Sequence, residues 1–437
     1  LPSPPEPAAD DARKRERIAL AACMFLTTAC IGFVQPFLPP YLKASGLSDG
    51  QIGFVVGLGT GASLVVQPVL GRLSDRWDAR RPLMTAAALL GGLAYFAFRF
   101  VPAALGPLAA TAVFGLLVAL GTNAITYLSA AGGVLVGRLV GSARGGAAYA
   151  GYRIWGSIGF IVTALVTGLL LGQQTSVAGR DGLAGVFLWG PLLFLANAVV
   201  ALFVPDKKRA SALAAPAPVP ASVAAGAGAA GLHPFLLAFF LYQFAMGGML
   251  AFLSLHLKAL GAGQGFISFA WATGVVFEAL MMARIGRWSD KWGRRPALAV
   301  AFLALPVRLL LYAVAPNPWF MLAAQTLEAI NFGIIGPVSI AFVNDLATDK
   351  NRGWLQARLA GVSGLAFALG PVTGGLVAGA AGYRIAFVVL AGVAIAGAIL
   401  FLRRVAESHP AAQPLGARGC AAGLRPLLRL LAAPPSG

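Results

Sequence analysis

Charge is what this chain has least of. Asp, Glu, Lys and Arg together make up 11% of 437 residues, and 15 of them are acidic. A soluble chain of this length needs far more polar surface to cover itself. Cysteine is as scarce, with three in all. Cys23 and Cys30 share one apolar run, about 10 Å apart along one helix face. They cannot bridge each other, and Cys420 lies far along the chain, so no disulfide framework exists. There is no metal-ligand spacing, no nucleotide-binding loop and no catalytic triad. Neither a metal nor a cofactor is expected, and the pattern is not that of an enzyme.

What is abundant is apolar: 58% of residues, with a mean hydropathy of +0.80. The apolar runs recur along nearly the whole chain, each about 20 residues long, enough to cross roughly 30 Å of hydrocarbon as a helix. The 55 glycines suit close packing of such helices. The expected fold is all-α: a polytopic membrane protein with twelve transmembrane helices. Spans are predicted at 18–42, 50–71, 82–101, 106–136, 153–172, 183–204, 234–257, 264–286, 296–315, 318–343, 355–379 and 383–402.

A formal charge of +18 suggests nucleic acid. The Arg and Lys residues sit in short segments between spans, however, so the lipid bilayer is the expected partner and nucleic acid is not. With a cytoplasmic N-terminus, all but six of the 33 basic residues fall on the cytoplasmic side. The six are Lys43, Arg99, Arg180, Lys258, Arg308 and Arg384. That asymmetry predicts cytoplasmic N- and C-termini and multi-pass insertion in a bacterial inner membrane. Arg13, Lys14, Arg15 and Arg17 precede a run that continues to about Tyr41, which predicts a retained anchor rather than a cleaved leader.

The predicted organisation is a cytoplasmic segment 1–17, a six-helix bundle 18–204, a cytoplasmic Ala/Pro/Gly linker 205–233, a second six-helix bundle 234–403 and a cytoplasmic tail 404–437. An internal repeat supports two similar halves. Leu42-Lys43-Ala44 and Gly46 recur as Leu257-Lys258-Ala259 and Gly261, 215 residues on. At the same offset, Gly71-Arg72 and Ser74-Asp75 recur as Gly286-Arg287 and Ser289-Asp290. After a one-residue insertion in the first copy, Arg80, Arg81 and Pro82 match Arg294, Arg295 and Pro296.

The element Gly71-Arg72-Leu73-Ser74-Asp75-Arg76 with Arg80, and its second copy Gly286, Arg287, Asp290, Arg294 and Arg295, resembles the signature between spans 2 and 3 of the major facilitator superfamily. The resemblance covers about 18–403. It implies two halves around a central cavity, with these elements latching the cytoplasmic ends in one transport state. Gly71 and Gly286 are expected to allow close helix approach. Asp75 and Asp290 are expected to face a helix N-terminus and nearby guanidinium groups. Asp78 and Ala79 depart from the usual Gly, so the first latch is expected to be looser. Pro36–Leu42, Tyr152-Arg153-Ile154-Trp155-Gly156 and Glu278 look like the phenylpropionate permease, nucleoside–proton symporter and lactose permease group.

Ionisable groups inside spans are costly and usually functional. Counting from span ends puts Glu278 about 12 Å deep, Arg308 about 18 Å and Glu328 about 15 Å. All three lie near the midplane. The resemblance implies a carboxylate on span 8 and an Arg on span 9, although Glu328 stands where the family often has His. Two carboxylates facing one guanidinium predict a proton switch on Glu328, with Arg308 modulating it and Glu278 in support. Asn123, Gln243 and Asn331 are expected to line the cavity. His256, at the end of span 7, is expected at the surface. The expected function is proton-coupled symport of a small organic solute by a monomer. Drug–proton antiport and a non-transporting receptor of the same fold are the alternatives.

Overall fold

The computed structural model describes residues 7–77, 79–102, 104–140, 145–172, 180–204, 229–348 and 351–408. Most of the predicted linker, most of the tail, and Asp78 lie outside the described residues. Among the described residues there is no strand. Span 1 is the helix Pro7–Ala44, span 2 is Asp49–Arg76, span 3 is Arg80–Ala97, span 4 is Pro107–Val140 and span 5 is Gly145–Gly172. Span 6 comes in two pieces, Arg180–Ala184 and Val186–Ala201. Span 7 is Ala229–Ala259, span 8 is Gln264–Trp292 and span 9 is Arg294–Val314. Span 10 is Pro318–Gln325 followed by Glu328–Asp345. Spans 11 and 12 share the stretch Arg352–Arg404, where the backbone leaves the helix at Gly382 (φ 84°). Large apolar side chains face outward on these helices, such as Leu108 and Trp319, 85% and 68% exposed. That is the surface of a chain whose solvent is a bilayer.

Local chemistry sets the helix starts. Ser48 and Gln51 form a reciprocal capping box on span 2. Asn317 accepts from the Phe320 amide at 2.9 Å with Pro318 in the first turn of span 10. The repeat is visible in the backbone. Gly46 and Gly261 both take positive φ, 90° and 94°, to end spans 1 and 7. A second echo links spans 1 and 3, then 7 and 9. Tyr41 donates to the Phe98 carbonyl oxygen at 2.9 Å, and His256 Nε2 meets the Tyr312 carbonyl oxygen at 3.0 Å. The paired positions are repeat equivalents. His256 is thus 2% exposed and structural, contrary to the surface placement expected from its position at a span end.

The halves meet closely at one end, which holds the turns at Gly46, Gly261 and Gly382. There spans 2 and 11 touch backbone to backbone, with Gly53 against Pro371 and Gly375. A side chain at Gly53 would collide with the Pro371 carbonyl oxygen. Thr60 Oγ1 donates to the Phe367 carbonyl oxygen at 2.9 Å, and Gly168 of span 5 abuts Ser268 of span 8. The opposite end carries the signature elements, whose ion pairs Asp75–Arg80 and Asp290–Arg294 stay within their own halves. Among the described residues nothing lies within 4 Å of where a Cβ would sit at Gly71 or Gly286, so neither makes with them the close approach expected of it. Residues 71–76 and 286–290 lie on the last turns of spans 2 and 8, and Arg80, Arg294 and Arg295 open spans 3 and 9.

Candidate functional site

The deepest polar cluster is built on spans 9 and 10. Arg308 is fully buried. Its guanidinium offers five donors in a fixed fork. Nε donates to the Tyr312 hydroxyl at 2.8 Å and Nη2 to Gln325 Oε1 at 3.0 Å. Nη2 also forms an ion pair with Glu328. Gln325 Nε2 donates to the same Glu328 carboxylate at 2.9 Å. Span 10 breaks at this point. Thr326 and Leu327 make short i→i+3 bonds, and Glu328 begins the second helical piece. A carboxylate in a first helical turn faces the free amides and positive end of the helix. Asn331 is buried beside the fork. In one amide orientation its oxygen takes Arg308 Nη1 at 3.4 Å; in the flipped one it takes the Tyr242 hydroxyl at 3.2 Å.

The sequence-based depths therefore brought Arg308 and Glu328 together, but Glu278 does not join them. It forms an ion pair with Arg153 of span 5 at 3.6 Å. The expectation of two carboxylates sharing one guanidinium is overturned, because Glu278 has a cation of its own from the other half. Arg153 was sorted with the cytoplasmic basic residues. The helix of span 5 starts at Gly145 and its apolar stretch at Tyr152, so Arg153 stands at the edge of the span and reaches Glu278 from there. The signal was present, since Arg153 lies in a stretch that carries the family resemblance. The two pairs differ in kind. Arg308–Glu328 is buried within one half and saturated with hydrogen bonds. Arg153–Glu278 spans both halves, with the Arg153 side chain 36% exposed.

The other candidates are neutral. Asn123 Nδ2 donates to the Ala119 and Gly59 carbonyl oxygens at 2.8 and 3.3 Å, and Gln67 donates to Asn123. This fixes span 4 to span 2. Gln243 donates to Ser363 at 2.9 Å, joining spans 7 and 11. Sequence reasoning missed Asn197, which is fully buried and donates to Thr27 at 2.9 Å.

The signature copies are wired differently. Asp75 pairs with Arg80, and Asp290 with Arg294. Both pairs lie within one half. Arg72, Arg76 and Arg287 are exposed. Arg294 also donates to Ser289 at 2.8 Å and to Asp345 at 3.0 Å. Glu407, just past span 12, accepts from the Arg294 and Arg295 amides at 2.9 and 3.0 Å. Arg295 reaches the Val405 and Leu402 carbonyl oxygens at 2.7 and 2.9 Å. Nothing in the sequence marked Glu407, because its partners are backbone groups more than a hundred residues away.

Comparisons with known proteins agree with this architecture. The profile described as MFS_1 like family matches residues 17–389. The multi-drug resistance efflux pump PmrA of Streptococcus pneumoniae is 26% identical over 378 residues, 83% of this chain and 89% of the pump. The nucleoside transporter NupG superposes with a TM-score of 0.69 at 17% identity, covering 88% of this chain and 98% of NupG. A D-xylose–proton symporter superposes with a TM-score of 0.70 at 15% identity, covering 90% and 99%. At those identities the two structures speak for the fold.

Proposed function

The chain belongs to the MFS_1-like family, and from that premise we propose that it is a proton-coupled symporter moving a small organic solute by alternating access. Its relatives are transporters of the major facilitator superfamily, and transport itself follows from that membership. Solute and coupling are our own reading. With the termini in the cytoplasm, the closed end is the outer one and the signature end faces the cytoplasm. The state described is then open inward. A reporter active only in the periplasm, fused at residue 404, should stay silent on this topology.

The Arg153–Glu278 pair carries the reading. A proton can drive a conformational cycle only through a group whose surroundings differ between the two states. Arg308 and Glu328 share one half and move together, so rocking the halves leaves their separation unchanged. Arg153 and Glu278 sit on opposite halves, and rocking changes their distance. When Arg153 withdraws, Glu278 is left as an uncompensated carboxylate in the membrane interior, and binding a proton relieves that cost. This moves the coupling role from Glu328, where the sequence placed it, to Glu278. Arg308–Glu328 then pins spans 9 and 10 beside the cavity, with Asn123, Gln243 and Asn331 as neutral groups for solute. The signature elements are the latch for the opposite state.

The test is Glu278→Gln in proteoliposomes, screened against small organic solutes with and without a pH gradient. The variant should keep solute exchange and lose uphill accumulation. If it still accumulates solute while Glu328→Gln does not, Glu328 is the coupling residue after all. Drug–proton antiport is a second reading, favoured by the similarity to PmrA. Proton uptake, rather than release, by solute-loaded vesicles as the solute leaves them would select it.

A further inference from the structure

The outer end holds a polar clasp that the coupling mechanism does not use. Lys43 ends span 1, Asp49 begins span 2 and Tyr383 begins span 12. The Tyr383 hydroxyl donates to Asp49 Oδ1 at 2.9 Å, and Lys43 Nζ meets Asp49 Oδ2 at 2.8 Å. One carboxylate is thus satisfied at both oxygens, by a cation from its own half and a phenol from the other. Its side chain is 12% exposed. A hydrogen bond to an ionised carboxylate is stronger than one between neutral groups.

Two features place Tyr383. Gly382 takes a φ of 84°, which turns the chain from span 11 into span 12. The His256 ring lies edge-on to Tyr383, with centroids 6.1 Å apart, and is itself anchored on the Tyr312 carbonyl. The clasp also breaks the internal repeat. Lys43 has its equivalent in Lys258, but the position matching Asp49 is Gln264. An acidic residue found in one half alone, and bonded across to the other, is what a joint between halves requires. A purely local cap would be equally useful in both.

Resting on the alternating-access reading above, we propose that Lys43, Asp49 and Tyr383 form the outer latch of the transport cycle. The clasp lies directly beyond the packed backbones of Gly53 and Gly375. It holds them together while the cytoplasmic end is open, and it separates whenever the outer end opens.

The test uses the full chain in a cysteine-free background (Cys23→Ala, Cys30→Ala, Cys420→Ala) and maleimide labelling. Val372→Cys reports on the closed end, where Val372 packs against Gly57. Ala360→Cys reports on the open end. It is exposed one helical turn below Gly364, which faces Leu64 of span 2. Tyr383→Phe keeps the ring against His256 and removes the donor; Asp49→Asn is the second variant. Each should raise labelling of Val372→Cys from outside at least threefold and lower that of Ala360→Cys from inside. Unchanged labelling of Val372→Cys in both variants overturns the proposal. A rise there with no fall at Ala360→Cys supports the latch and overturns instead the reading in which the two ends open in turn.

Discussion

The two signature copies share a sequence and differ in what surrounds it. In the second, Arg294 is 8% exposed and bound to Ser289, Asp290 and Asp345, while Glu407 closes the start of span 9. In the first, Arg80 holds Asp75 and, among the described residues, pairs with no second carboxylate; the two aspartates themselves are alike in exposure, 58% and 62%. Among the described residues, Arg80 Nη1 is buried there without a hydrogen-bond partner, and the Ser74 and Tyr127 hydroxyls lie beside each other. Turn chemistry differs too. Gly293 takes a φ of 102° and leads directly into span 9, whereas Ala79 stands at φ −114° before span 3. The interiors repeat the contrast, with charges on spans 9 and 10 and the amides of Asn123 and Gln67 on spans 4 and 2. Duplication has kept the scaffold of both halves and concentrated the electrostatics in one.

The sharpest way to break this asymmetry is Arg308→Gln. It strands Glu328 inside the second half and should cost about 3–5 kcal/mol, read as thermal unfolding in detergent. Adding Glu328→Gln should recover most of that loss. The first-half counterpart, Asn123→Ala, should cost about 1 kcal/mol, the scale of a neutral hydrogen bond. Equal losses from the two would mean that the halves are not energetically distinct.

Next comes the pair Arg294→Ala and Arg80→Ala. The former removes charge-assisted bonds to two carboxylates, for about 2–3 kcal/mol. The latter breaks an ion pair with a largely exposed partner, for under about 1 kcal/mol. Glu407→Gln should fall between them, since its carboxylate serves two amides of span 9. The smallest effects sharpen the contrast from the other side. Tyr127→Phe removes a hydroxyl whose neighbour is the Ser74 hydroxyl, a neutral pair with no charge behind it, so stability should fall by no more than about 0.5 kcal/mol. Ser289→Ala loses a bond to Arg294 and should cost about 1 kcal/mol.

Much of this was legible in the sequence. Hydrophobic length gave the spans, and the repeat gave the halves. Depth counting brought Arg308 to Glu328 because both lie on spans whose ends are well marked by Pro, Gly and Arg. The same counting did not link Arg153 to Glu278, since span 5 begins inside a Gly/Ala/Arg segment with no clear edge. His256 was misread because a position at a span end says nothing about which neighbour covers it. Glu407 and Tyr383 act across more than a hundred residues of chain, on backbone amides and on a carboxylate of the other half. No local pattern encodes such a contact.

The internal neutrality of the Arg308–Glu328 pair has an electrical consequence. A membrane potential acts on moving charge at about 2.3 kcal/mol per elementary charge per 100 mV. A zwitterion carried rigidly in one half moves no net charge, so the most deeply buried ions of the molecule are silent to voltage. Arg153 and an ionised Glu278 also sum to zero but part as the halves rock, so the unloaded carrier moves only the charge displacement of that separation. On the proposed mechanism the proton on Glu278 alone makes the loaded carrier positive. For an uncharged solute, a negative-inside potential then acts on a full elementary charge in the loaded inward step and on less in the empty return.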